Sequence, residues 1–249
     1  AAVTAAQRGH QVTLAEATDN LGGLLKFTDY DDLKVDLMRL KNYLIHQVEK
    51  NAIELKLNTT VTPEFIKAGG YDAVILAVGS TPSRPPIPGL DDPSVEHATT
   101  VYTKLANFGK KVAVLVGGLV GCETGLYLAE NGHDVTIVEM QSEIAPEANW
   151  MHKEGMMQSF AKAPITCRTG LRVARIEPGK GVYATNAEGG EEFIPADGIV
   201  YAMGMRPNTG IVDELKEACL DTIAVGDCVK PRKARQAMEE GYWAAVNLA

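Results

Sequence analysis

The sequence is poor in features that mark several large classes of protein. Its four cysteines, Cys122, Cys167, Cys219 and Cys228, are scattered, and no two stand at a C-x-x-C or zinc-ligand spacing. A paired redox disulfide and a cysteine zinc site are therefore not expected, and a reducing, cytoplasmic setting is the simple reading. Positive charge is also short: 24 Lys and Arg against 32 Asp and Glu leave a formal charge of -8, with no basic run. Such a chain makes a poor phosphate-backbone binder, so no nucleic-acid partner is expected. No apolar stretch nears the ~20 residues of a bilayer crossing, so no membrane partner is expected either. The opening Ala1-Ala2-Val3-Thr4 has neither a charged nor an apolar leader region. His46, His97 and His152 have no partner pattern, so neither a metal site nor a hydrolytic triad is expected.

What is present is an apolar chain of 249 residues, 45% hydrophobic, enough for one large core or two smaller ones. An internal repeat decides between them. Arg8-Gly9-His10-Gln11-Val12-Thr13-Leu14-Ala15-Glu16 matches Asn131-Gly132-His133-Asp134-Val135-Thr136-Ile137-Val138-Glu139 at Gly, His, Val, Thr and Glu; residues 10 and 133 set the offset at 123. Asp72-Ala73-Val74-Ile75-Leu76-Ala77-Val78-Gly79 matches Asp197-Gly198-Ile199-Val200-Tyr201-Ala202-Met203-Gly204; residues 79 and 204 set the offset at 125. Each copy of the first pair reads as a helix end, a Gly turn, an apolar strand and an acid at the strand's end. Leu33, Leu37, Leu40, Leu44 and Val48 fall on one helical face, and Ile53 to Leu57 alternates as a strand. Strands alternating with helices predict an α/β fold: two Rossmann-like, doubly wound domains with parallel sheets. The run Thr81-Pro82-Ser83-Arg84-Pro85-Pro86-Ile87-Pro88-Gly89 reads as the linker between them. We expect a discontinuous first domain of residues 1–106 and 209–249, and a second of residues 107–208 inserted within it.

The second copy carries a recognisable nucleotide loop. Lys111 to Val116 reads as a strand that runs into Gly117-Gly118-Leu119-Val120-Gly121, then a helix to about Asn131, then the strand ending at Glu139. Glycines let backbone approach a pyrophosphate, and the helix N-terminus offers it free N–H groups and partial positive charge. An acid at Glu139 is placed to accept from the adenosine ribose, and the following Met140-Gln141-Ser142-Glu143 offers no cation for a 2′-phosphate, which favours NADH over NADPH. In G-x-G-x-x-G, Gly118 and Gly121 take the second and third places, but the first falls on Val116, where a β-branched residue is expected to weaken nucleotide binding. Glu123, in the helix's first turn, reads as dipole compensation.

By the repeat, the corresponding loop and first strand of the first domain would lie ahead of Ala1. We therefore expect a first domain without its N-terminal strand and Gly loop, retaining Glu16 at the end of its second strand. The second strand would then lack its central ladder partner.

These segments resemble a known group. Gly9-His10-Gln11-Val12-Thr13-Leu14, Leu21-Gly22-Gly23-Leu24-Leu25, Ala77-Val78-Gly79-Ser80-Thr81-Pro82, Gly117-Gly118-Leu119-Val120-Gly121-Cys122-Glu123, Gly204-Met205-Arg206-Pro207-Asn208 and Ile223-Ala224-Val225-Gly226-Asp227-Cys228-Val229-Lys230-Pro231-Arg232 are similar to the C-terminal half of the clostridial enoate reductase and 2,4-dienoyl-CoA reductase group. Those are Old Yellow Enzyme relatives with an added pyridine-nucleotide reductase module. The resemblance implies a glutathione-reductase-type fold in which the first domain binds FAD and the inserted one NADH. Glu16 would face the FAD ribose, Gly22 and Gly23 its phosphate–ribityl stretch, and Val61 the adenine through its backbone. Ala77 and Gly79 would line the flavin, and Gly226 and Asp227 would hold the ribityl chain or pyrophosphate; Gly117, Gly118, Gly121, Glu139 and Gly204 would serve NADH. Asp227 could equally cap a helix from Arg235 to Ala245.

The implied activity is hydride transfer from NADH to FAD, with electrons passed to an upstream barrel holding FMN and a 4Fe-4S cluster, which reduces an activated C=C bond in a small-molecule substrate. Cofactors carry such chemistry, so no catalytic side chain is assigned. A homo-oligomer is left open. Disulfide reduction is not expected, because Leu24-Leu25-Lys26-Phe27 after the Gly pair holds no cysteine, and Cys122 and Cys228 read as small buried residues. Two further readings stay open: an ADP-binding structural module, as in trimethylamine dehydrogenase relatives, and a stand-alone NADH-dependent flavin-linked reductase.

Overall fold

The computed structural model describes residues 1–31 and 34–249. The chain opens with α1 (Ala2–Gln7) and β1 (Val12–Ala15), then a 3-10 turn over Gly23–Asp29. It continues through α2 (Val35–Lys50), β2 (Ile53–Lys56), α3 (Pro63–Gly69), β3 (Ala73–Leu76) and β4 (Ser80–Pro82). Local chemistry sets the ends of α3: the Thr62 side chain accepts from Phe65 N at 3.2 Å, Pro63 opens the first turn, and Gly70 closes the helix at φ +61°. On α2, Leu37, Leu40, Leu44 and Val48 form a half-buried stripe, as their spacing predicts, while Leu33 lies outside the described residues. The fully buried member of α2 is instead Lys41, whose ammonium pairs with Asp29.

A second group of elements follows: β5 (Val95–His97), α4 (Val101–Lys104), β6 (Lys111–Leu115), α5 (Leu119–Glu130), β7 (Asp134–Val138), α6 (Trp150–Phe160) and β8 (Ile165–Arg168). Then come β9 (Arg172–Glu177), β10 (Gly181–Thr185), β11 (Glu191–Pro195) and β12 (Gly198–Tyr201). Five strands form a parallel sheet in the order β5-β12-β6-β7-β8, with Leu115 opposite both Val138 and Tyr201. Val112 to Leu115 are buried at every position, as a central parallel strand covered on both faces must be. β9, β10 and β11 make an antiparallel layer, and its Ile176, Val182, Ala184 and Ile194 pack with Leu115, Ile199 and Tyr201 in one core. Each fully buried Val, Leu or Ile there contributes roughly 1.5–3 kcal/mol.

The return segment is β13 (Met205–Pro207), α7 (Thr209–Lys216), β14 (Asp221–Ala224) and α8 (Ala234–Val246). β14 runs parallel to β3, β1 runs parallel to β2, and β4 pairs with β13. Ile66, Leu76, Val212, Leu215 and Cys228 form a separate core.

The chain divides into two compact units, Ala1–Thr81 with Met205–Ala249, and Pro82–Gly204. The expected boundaries at 106 and 208 are thereby corrected. Residues 82–106 belong to the second unit because β5 pairs with β12 at the sheet's edge and because Ile176 N donates to Pro88 O at 2.8 Å. The repeat itself is written in the backbone. Gly9 and Gly132 have φ of +95° and +92°, His10 N donates to Ala5 O as His133 N does to Leu128 O, and Gly79 and Gly204 have φ of +68° and +81°. In the second unit β6 lies between β12 and β7; among the described residues of the first, no strand joins β3 to β1, their counterparts.

Candidate dinucleotide-binding sites

In the second unit, β6 leads directly into the Gly loop, and the loop's shape explains its residues. Val116 adopts φ +79°, the left-handed conformation that the first glycine of the motif normally takes, so the β-branched residue keeps the glycine's backbone path. Gly121 is required for close packing: a Cβ there would lie 2.0 Å from Val116 O. Gly118 is the N-cap of α5, and the helix N-terminus opens beside it. Gly117 is held from both sides, its N–H by Glu139 Oε2 at 2.7 Å and its carbonyl by Ala145 N at 2.7 Å and the Cys122 thiol at 3.2 Å.

Glu139 therefore does more than its position suggests. It is only 3% exposed, and its second oxygen accepts from Gln141 N at 2.7 Å, so both oxygens brace the loop's backbone. Sequence alone marks the acid but not this bracing. Gly204, at the end of β12, leaves open space where a Cβ would stand. Glu123 lies in the second turn of α5 rather than the expected first, and it pairs with His152 Nε2 at 3.1 Å. Glu147, which no motif marks, places Oε1 at 2.5 Å from Leu119 N, on the first turn of α5.

In the first unit Glu16, Ala77, Gly79, Gly226 and Asp227 stand just past the carboxyl ends of the parallel strands β1, β3 and β14, while Gly22, Gly23 and Val61 lie in the connections that follow β1 and β2. Glu16, just past β1, accepts from Thr18 N at 2.9 Å and Thr18 Oγ1 at 2.7 Å, and Lys26 Nζ donates to the same hydroxyl at 2.5 Å. Its loop thus repeats that of Glu139, whose partner is the backbone N–H two residues on. Gly22, at φ +119°, starts the 3-10 turn, with Gly23 at φ +52°. Ala77 and Gly79 follow β3, where Asn208 fastens the turn by donating to Val78 O at 2.9 Å. Val61 packs against the Ile66–Leu76 core.

Gly226, at φ +70°, donates its N–H to Glu240 Oε2 at 2.7 Å, and Glu240 also pairs with Arg232. Asp227 accepts from Ser80 Oγ at 3.4 Å and Arg232 N at 3.2 Å. It does not cap the final helix: α8 begins after Lys233, and Asp227 sits in the 3-10 turn Gly226–Cys228. Strand-end glycines without side chains, next to a half-buried acid, are groups that fit a dinucleotide's ribityl–pyrophosphate chain.

All four cysteines are free thiols. Burial pushes the Cys122 thiol up to about 12, with nearby Cys167, Glu147, Glu123 and Glu139 adding to the shift. A thiol that stays protonated is a poor nucleophile for disulfide exchange.

Known proteins share this fold. The profile of the pyridine nucleotide-disulphide oxidoreductase family matches residues 33–241. The NADH oxidase of Thermoanaerobacter brockii is 38% identical over 253 residues, which cover 100% of this chain and 39% of the relative. The cinnamate reductase of Clostridium sporogenes is 33% identical over 253 residues, 100% of this chain and 37% of the relative. A solved 2-naphthoyl-CoA reductase superposes with a TM-score of 0.93 at 31% identity, over 99% of this chain and 37% of that one. The chain thus spans about two fifths of the length of the relatives it matches. It belongs to the pyridine nucleotide-disulphide oxidoreductase family and carries that family's FAD- and NAD(P)-binding fold.

Proposed function

We propose that this chain is the electron-input part of a larger flavin-dependent reductase. It binds NADH in the second unit and FAD in the first, and it passes electrons to a partner domain with FMN and an iron–sulfur cluster that reduces an activated C=C bond. The observation that carries this reading is the repeated strand-end architecture, with matched glycines at Gly79 and Gly204 and matched acids at Glu16 and Glu139, inside a family match that spans both units. The relatives named cinnamate reductase and 2-naphthoyl-CoA reductase support a conjugated substrate for the whole protein.

Gly118 and Gly121, lacking side chains, let the NADH pyrophosphate reach the backbone at the α5 N-terminus, and Glu139 holds the loop in that shape. Gly22, Gly23, Gly79, Gly226 and Asp227 hold FAD, with Glu16 toward its ribose and the Val61 backbone toward its adenine. Bound there, FAD supplies the two-electron acceptor for the hydride. No side chain of this chain need give or take a proton on the reacting atoms.

An anaerobic absorbance titration tests the reading. The full-length protein saturated with FAD should show a bound flavin band that NADH bleaches. A bound flavin that NADH leaves oxidised would overturn it.

A further inference from the structure

The Gly loop of the second unit already holds an anion. Glu147 Oε1 accepts from Leu119 N at 2.5 Å, on the first turn of the twelve-residue α5. The same oxygen lies 3.3 Å from the point where a Cβ on Gly118 would stand. Gly118 is the motif's second glycine, the one kept bare so that a pyrophosphate can reach the backbone. Glu147 thus covers the surface that the motif leaves uncovered.

The carboxylate is held there by the loop that carries it. Ala145 N donates to Gly117 O at 2.7 Å, Ala148 N donates to Ala145 O at 3.1 Å, and Ala145 is fully buried at φ +44°. Ile144, 6% exposed, places Cγ2 3.0 Å from where a Cβ on Gly117 would be. The backbone on either side is fastened, whereas Glu147 itself is exposed, so its side chain can swing out by rotation about its own bonds.

We infer that Glu147 is a resident competitor for the pyrophosphate of the incoming dinucleotide: it caps α5 while the site is empty and must leave the helix N-terminus before the pyrophosphate takes those N–H groups. Two anions cannot share one turn of N–H donors, and the carboxylate's hydrogen bond and charge both favour the empty state. The residue therefore sets dinucleotide affinity without touching the reacting atoms. The inference rests on the assignment of NADH to this loop.

The test is calorimetric titration of the FAD-saturated full-length protein with ADP-ribose, which has the pyrophosphate but cannot accept a hydride, and with adenosine, which lacks it. Glu147→Ala should bind ADP-ribose about three- to thirtyfold more tightly than the parent, the range that losing a helix-end anion spans. Glu147→Gln, which keeps the shape and loses the charge, should tighten it in part, and it serves if the alanine variant folds poorly. Adenosine affinity should stay within about twofold in both. ADP-ribose binding that is unchanged or weaker in both variants overturns the inference and leaves the nucleotide site standing. No ADP-ribose binding by the parent or by either variant removes the site assignment, and the inference with it.

Discussion

Val116 places a β-branched side chain at φ +79°, a conformation that costs such a residue on the order of 1–3 kcal/mol. Val116→Gly removes that strain at an entropic cost of roughly 0.5–1 kcal/mol. We expect the variant to be as stable as the parent or more so, and to bind NADH more tightly; an unchanged dissociation constant would refute the link between Val116 and affinity. His97 gives a pH dependence. Burial, and then the charge of Arg84, lowers its pKa from 6.5 to about 4, and its ring lies 4.9 Å from that of Tyr201. Between those two values the unfolded chain binds a proton that the folded chain refuses, so stability falls as pH falls through this window, by up to roughly 1 kcal/mol per pH unit. His97→Gln should flatten the decline of Tm between pH 6.5 and 4; an equally steep decline means that other groups cause it. At this scale Glu16 and Glu139 were legible because strand, turn and acid recur at fixed spacing. Glu147 was not, because its place depends on a loop whose turn sits on a buried alanine at positive φ, a conformation that no alanine announces.

The helix α5, its loop and the flanking strands β6 and β7 form the element that sequence described best. The apolar run, the glycines and the strand-end acid all follow local rules; the strand ends and the helix end fall within a residue of expectation, while α5 starts three residues early, at Leu119 inside the glycine loop. The layer β9–β11 was not legible in the same way. Most of its residues are exposed or half-buried rather than buried, so no apolar run marks its strands, and its pairing is set by contacts such as Gly181, where a Cβ would lie 2.2 Å from Ile194 O. The same kind of constraint predicts the behaviour of the nucleotide element. Gly121→Ala sets a methyl group against Val116 O, which must shift the loop off the helix or strain both. The expected cost is about 1–3 kcal/mol, seen as a lower Tm, together with weaker NADH binding. A variant with parental Tm and affinity would show that the loop relaxes freely.

Across the whole molecule, the repeat foretold two units, but not where the chain passes between them. The Pro-rich run Thr81 to Gly89 marked the crossing, yet the residues after it looked like part of the first domain. They join the second because long-range pairing outweighs sequence proximity: β5 adds to the edge of a sheet whose other strands lie up to a hundred residues on, and Gly89 fits where a Cβ would stand 2.3 Å from Ile176 O. Each unit has a core of its own, one around Leu76 and Val212, the other around Leu115 and Tyr201. Damage confined to one should therefore leave the ligand of the other in place. Gly121→Val, a larger intrusion into the Gly loop, should abolish bleaching of the flavin by NADH, while the ratio of bound flavin to protein stays at the parental value. Loss of flavin in step with loss of NADH response would mean that the first unit depends on the second for its fold, and that separate cores do not amount to separate stability.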